Sequence, residues 1–296
     1  MSADEWGSLF EYIFPPPRVS VGRSQDGRGS VDRLGQSLQR LHLRQDRVDS
    51  SPMYLEDTYL FEMPSRISSV ARSEDSSRGS YKVTLTETLF HPQGGGQPSD
   101  TGWISIDDGL LFEVHFAQKN GTRIEHLGDF SQHVPNIADL FDRPVVLRVD
   151  AQRRLANARL HSGGHLLDAA IARCGLAEKL RPSKGYHFAD GPYVEYTSCV
   201  GEPLPTRFVE EVNQALSQLV EEGIPTEVQV LSRASAREVL GEYLESYPDQ
   251  VRVVRLAGLA CPCGGTHVRS TAELRGIVVT KVKAKQSLIR VSYSFQ

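Results

Sequence analysis

The sequence predicts an α+β protein: an N-terminal small β-barrel domain followed by an antiparallel sheet with helices packed on one face. Three observations carry that expectation. Between Met53 and Asp150 apolar residues recur with the two-residue period of strands. From Ala151 the spacing becomes helical, and strand-like runs then return in pairs, separated by two further helical stretches.

The elements follow in order. Residues 1–52 carry a Pro15-Pro16-Pro17 run and many Ser, Gly and Arg residues with poor periodicity, and read as a disordered extension. Asp4, Glu5 and Glu11 make this segment a poor transit peptide. Met53, where ordered-looking sequence begins, is a candidate natural start. In the barrel domain, 53–150, the stretch 81–90 sets Tyr81, Val83, Leu85 and Leu89 on one face, with Glu87 as its one polar break. Further strands are expected over 103–106, 111–116 and 145–149. The third unit, 151–296, starts with a helix over 151–174, whose apolar contacts are Leu155, Leu160, Leu166, Leu167 and Ile171. A hairpin over 184–196 turns at Asp190-Gly191. A second helix runs over 206–222, with Phe208, Val212, Ala215, Leu216 and Leu219 at helical spacing, Thr206 as N-cap and Gly223 as its stop. Strands at 227–231 and 251–256, a short helix at 234–240, and terminal strands at 277–284 and 288–295 complete it.

The 296 residues suffice for two domains with a sizeable core, and 39% hydrophobic with 24% charged content is that of a soluble globular protein. No apolar run approaches a membrane-spanning length. Four cysteines form no obvious disulfide framework in a chain this long, which favours a reducing compartment with thiols free or on metal. A net charge of −4 argues against bulk capture of nucleic acid. The acid-free C-terminal series Arg275, Lys281, Lys283, Lys285 and Arg290 is either a phosphate-binding patch or a solvated strand face.

His161 and His165 stand four apart on the first predicted helix, so both imidazoles share a face. Cys263 and His267 flank a Gly-Gly turn that can present a thiolate and an imidazole together. Taken singly each pair is weak. Jointly, three nitrogens and one sulfur suit zinc, as a structural clamp or as a reaction centre. A zincin protease is excluded, because Ser162 stands where that motif needs Glu. The loop 90–102 holds Gln93, Gly94, Gly95, Gly96 and Gln97. Three consecutive glycines are costly in chain entropy, so the loop either lets a ligand approach its backbone or forms a wide hairpin. Gln93, Gln97, Ser162 and Thr266 are candidates for reading a substrate hydroxyl, Thr266 being equally a cap of its own turn. Cys261 is a spare ligand, a dithiol partner of Cys263 or a packed thiol. His187 faces either the pocket or the core.

HSGGH at 161–165, CGGTHV at 263–268 and FHPQGGGQPSDTG at 90–102 resemble the AlaX proteins, freestanding relatives of the alanyl-tRNA synthetase editing domain that is shared with threonyl-tRNA synthetase. The resemblance covers 53–296, and the glycine-rich domain looks like that of the AlaX-M type. It implies a cytoplasmic, ATP-independent deacylase acting on mischarged alanine tRNA, Ser-tRNA(Ala) and also Gly-tRNA(Ala). It further implies one zinc held by His161, His165, Cys263 and His267, with Gln93, Gly94, Gly95, Gly96, Gln97, Ser162, Gly164 and Thr266 around the pocket. No general base is assigned. Arg153, Arg154, Lys281, Lys283 and Lys285 are candidates for contacting tRNA. The chain departs from the synthetase pattern at Gly164, commonly a hydroxyl residue, and at Ser183, commonly glutamine. The alternatives are a non-catalytic tRNA- or synthetase-binding module with a structural zinc, or a metallohydrolase of another small ester.

Overall fold

Strand β1 (Ser51–Pro52) leads into β2 (Glu62–Arg72), β3 (Tyr81–Leu85), β4 (Glu87–Thr88), β5 (Gly102–Ile106), β6 (Leu111–Asn120), β7 (Arg123–Phe130) and β8 (Pro144–Val149) in the computed structural model, which describes residues 49–198, 204–241 and 248–296. Six of these strands close into a barrel in the order β2-β3-β7-β6-β5-β8, every neighbouring pair antiparallel. Closure removes the unpaired edges that a short open sheet would leave. Its interior is filled by Ile67, Val83, Leu85, Ile104, Phe112 and Leu147.

Two expectations need correction here. The stretch 81–90 is not one strand: it breaks at Thr86, whose N–H donates to Arg66 O at 3.0 Å. Leu89 and Phe90 beyond the break are wholly buried and plug the barrel. The expected disordered 1–52 segment falls outside the described residues up to 48, but its last four positions belong to the fold. Ser50 is buried and donates to Leu85 O at 2.9 Å, and β1 pairs in parallel with β4.

Helix α1 (Ala151–Arg173) follows β8 directly. Asp150 caps it by accepting from Arg153 N at 3.0 Å, which satisfies one of the donors a helix start leaves open. After β9 (Leu180–Tyr186) and β10 (Tyr193–Ser198) comes α2 (Phe208–Glu222). Its N-cap is Arg207 rather than Thr206, with no side-chain cap bond, because the chain enters through a turn at Thr206 and Arg207. Gly223 ends it in the left-handed conformation, as expected. The remaining elements are β11 (Glu227–Ser232), α3 (Arg233–Leu240), β12 (Gln250–Leu256), β13 (Leu259–Pro262), β14 (Ile277–Lys285) and β15 (Leu288–Phe295).

Helices α1 and α2 share one core with the antiparallel sheet β14-β15-β10-β9: Leu166, Leu167, Val212, Leu216, Val194 and Val291 meet there. The strands β11-β12-β13 form a separate sheet, against which α3 packs through Ala236. Arg154 of α1 fastens the barrel to this half. Its guanidinium is wholly buried, bonds Asp100 Oδ2 at 2.9 and 2.5 Å, and donates to the carbonyls of Thr58 (3.1 Å) and Leu89. Arg154 is therefore not a tRNA contact, since its charge is spent inside the protein.

Candidate metal centre

Helical spacing brings His161 and His165 to one face of α1, with Nε2 atoms 3.1 Å apart. The glycines between them allow close packing. A Cβ on Gly163 would press on Phe295, Tyr293 and Ile277, and one on Gly164 would collide with the His187 ring. The room beside the helix is thus filled by the protein's own aromatic side chains.

The second pair arrives on the loop after β13. Arg252, buried on β12, shapes that loop by donating to Cys263 O at 2.6 Å and Gly265 O at 3.2 Å, and it ties the loop to the barrel through Leu55 O at 3.0 Å. His267 N donates to Thr58 Oγ1 at 3.0 Å, and Val268 N to Ser162 Oγ at 3.1 Å. These bonds set Cys263 Sγ 3.2 Å from His161 Nε2. All four potential ligand atoms, from His161, His165, Cys263 and His267, lie within 4.8 Å of one another. A tetrahedral zinc at ordinary bond lengths would hold such atoms roughly 3.3–3.6 Å apart.

The residues fit a metal on chemical grounds as well. His267 Nδ1 lies 3.4 Å from Ser162 Oγ, whereas its Nε2 is buried without any hydrogen-bond partner. A buried orphan of this kind is costly unless something binds it. Burial pushes His165 down to about 4, and His161 and His267 well below the usual 6.5, so their ring lone pairs are free near neutrality. Burial raises the Cys263 thiol, with the Arg252 charge working in the opposite direction. A metal entering here displaces the thiol proton.

The other anticipated residues divide into groups. Gln97 and Thr266 are wholly buried and bonded to each other: the Gln97 amide donates to Thr266 Oγ1 at 2.9 Å, and Thr266 N to Gln97 Oε1 at 3.1 Å. Thr266 therefore does not cap its own turn. Gln93 is exposed. The glycine loop is a tight turn, not a wide hairpin, with Gly94 and Gln97 bridged and Gly95 and Gly96 at φ +56° and +78°. What approaches it closely is the chain itself, for Gly96 O accepts from His187 N at 2.8 Å. Arg153 is exposed and donates to Ser99 O at 3.1 Å. Lys281, Lys283 and Lys285 are exposed along the edge strand β14, while Arg290 pairs with Glu195 at 2.5 Å. Cys261 Sγ stands 3.5 Å from His165 Nδ1, its thiol pushed well up by burial. Cys199 lies outside the described residues.

Sequence reasoning missed Arg252 and Asp168. Asp168, one turn beyond His165, accepts from the Tyr196 hydroxyl at 2.6 Å, and burial raises its carboxyl to about 7. Its i+3 spacing from His165 was the available signal; nothing marked Arg252.

Residues 251–291 match the family described as the threonyl and alanyl tRNA synthetase second additional domain. The chain is 29% identical to the alanyl-tRNA editing protein AlaX-L of Pyrococcus horikoshii over 251 residues, 82% of this chain and 57% of that protein. It is 32% identical to the alanine–tRNA ligase of Thermotoga maritima over 205 residues, 68% of this chain and 23% of the ligase. The ligase of Streptomyces avermitilis is 29% identical over 200 residues. The chain thus spans less than two thirds of the length of these relatives. Residues 251–291 thus carry a second-additional-domain match, in a chain whose His161, His165, Cys263 and His267 could hold a metal ion. More narrowly, the matches support an AlaX-like alanyl-tRNA editing family.

Proposed function

We propose that this protein is a trans-editing hydrolase that removes serine, and glycine, from mischarged alanine tRNA in the cytoplasm. One zinc is held by His161, His165, Cys263 and His267. The gathering of those four ligand atoms within 4.8 Å carries the reading, in a chain similar to an alanyl-tRNA editing protein and to alanine–tRNA ligases. When bound, zinc supplies Lewis-acid polarisation or an anchor for the substrate. The chain's own share is positioning: α1 and the 263–268 loop hold neutral imidazoles and a thiol rigidly in a buried setting. An aminoacyl ester is intrinsically reactive, so orientation covers much of the barrier. No side chain is assigned as general base. The units 53–150 and 151–296 are a glycine-loop barrel and an editing domain, on the AlaX-M plan. Arg153 and the exposed Lys281, Lys283 and Lys285 suit contact with acceptor-stem phosphates.

Deacylation of Ser-, Gly- and Ala-charged alanine tRNA by the purified zinc-loaded chain tests this, with His161→Ala beside it. Hydrolysis of none above background, with metal bound, sinks the reading. The complete set of four protein ligands favours a second one: a tRNA- or synthetase-binding module stapled by a structural zinc. Chelation separates the two, because a structural site unfolds without its metal whereas an editing site loses turnover with the fold intact.

A further inference from the structure

Three glycines from three separate motifs make room for one imidazole. A Cβ added to Gly164 of α1 would collide with His187 Cε1, one on Gly185 of β9 with its Nε2, and one on Gly96 of the glycine loop would crowd its Cδ2. The ring lies 4.7 Å, centroid to centroid, from that of His161, and the residue is only 5% exposed. Its orientation is locked. Tyr293 Oη donates its single hydrogen to Leu160 O at 2.8 Å, so the His187 nitrogen 2.8 Å from that oxygen, Nδ1, must be the one carrying a proton. Nε2 is then the bare acceptor of the ring.

Three of the four anticipated hydroxyl readers are occupied elsewhere, and the fourth, Gln93, is exposed. Gln97 and Thr266 satisfy each other, Ser162 accepts from Val268 N, and all three are wholly enclosed. We propose that His187 determines specificity: its Nε2 accepts the hydroxyl hydrogen of a β-hydroxy aminoacyl group, a donor that alanyl and glycyl esters lack. This rests on the editing reading above. A neutral acceptor suits a hydroxyl beside a divalent cation bound by one thiolate, where an ammonium would meet net positive charge. A site built around such a bond disfavours a ligand without the donor, because its own polar group is then left unpaired.

The test uses the full zinc-loaded chain and three variants. His187→Phe keeps the ring volume without an acceptor, His187→Gln returns an oxygen near the Nε2 position, and Tyr293→Phe releases the tautomer lock. Elemental analysis first verifies equal zinc content. The expected result is a serine-to-glycine ratio of kcat/KM that falls roughly 10- to 100-fold in His187→Phe, less in Tyr293→Phe, with partial recovery in His187→Gln. The same ratio is read as binding of 3′-amide-linked seryl- and glycyl-adenosine, which do not require turnover. If wild type hydrolyses neither ester, the editing reading fails, and the amides still decide His187. An unchanged ratio in His187→Phe, or a wild type that binds the two amides equally or not at all, overturns the proposal.

Discussion

His126 in the barrel and His267 in the loop after β13 are both buried imidazoles, and they differ in what their ring nitrogens meet. His126 Nδ1 donates to Val83 O at 2.9 Å, and its Nε2 accepts from Thr88 Oγ1 at 2.7 Å, while that same hydroxyl oxygen accepts from Phe90 N. Every hydrogen-bonding position there is filled by protein. His267 has one nitrogen against Ser162 and the other facing His161, His165 and Cys263 with nothing to bond it. Burial depresses protonation of both rings, so burial alone does not separate a structural histidine from a ligand. Between these two, the unfilled nitrogen does.

The widest gap between the two regions should appear in metal content. Cys263→Ala and His161→Ala are expected to abolish stoichiometric zinc and lower deacylation more than about a hundredfold, while His126→Leu leaves zinc at one equivalent. Elemental analysis beside the deacylation assay checks both halves of the statement. Next in size is Arg154→Met, which strands the buried Asp100 carboxylate and should cost about 3–5 kcal/mol in denaturant unfolding. Were Arg154 a tRNA contact instead, stability would hold and KM would rise. His126→Leu should cost about 1–3 kcal/mol by leaving the Val83 carbonyl unpaired.

Acid sharpens the comparison further. His126 and His165 titrate at about 4 in the fold and near 6.5 when unfolded. Their folded values are the lower ones, so the unfolded chain gains protons first as pH falls. Stability of the metal-free protein is expected to be insensitive to these groups above about pH 7 and to decline between 6.5 and 4. Thermal melts across that range should show a shallower decline in His126→Leu. Smallest is the surface effect: replacing Lys281, Lys283 and Lys285 with Ala should raise KM for tRNA a few-fold and flatten its salt dependence, with kcat preserved.

Helix α1 and its two histidines were legible because helical periodicity and ligand spacing coincide over a long segment. The cysteine loop was legible from residue types alone. Strand β7 was not, since Ile124, Glu125, His126, Leu127 and Gly128 are all buried and the alternation that marks a half-exposed strand vanishes. The fate of Arg154 depended on Asp100, 54 positions away, and no local pattern reports a partner at that range. The glycine loop was noticed for its cost, but its purpose, a turn seated on β9 beneath His187, exists only once the strands are assembled.

Among the described residues, strand β14 closes the four-stranded sheet with one side unpaired, and lysine takes every second position from 281 to 285. An open strand invites addition of another chain's backbone, and a row of like ammonium groups makes that union repulsive. The same lysines that suit a polyanion thereby guard the molecule against stacking into fibres with itself.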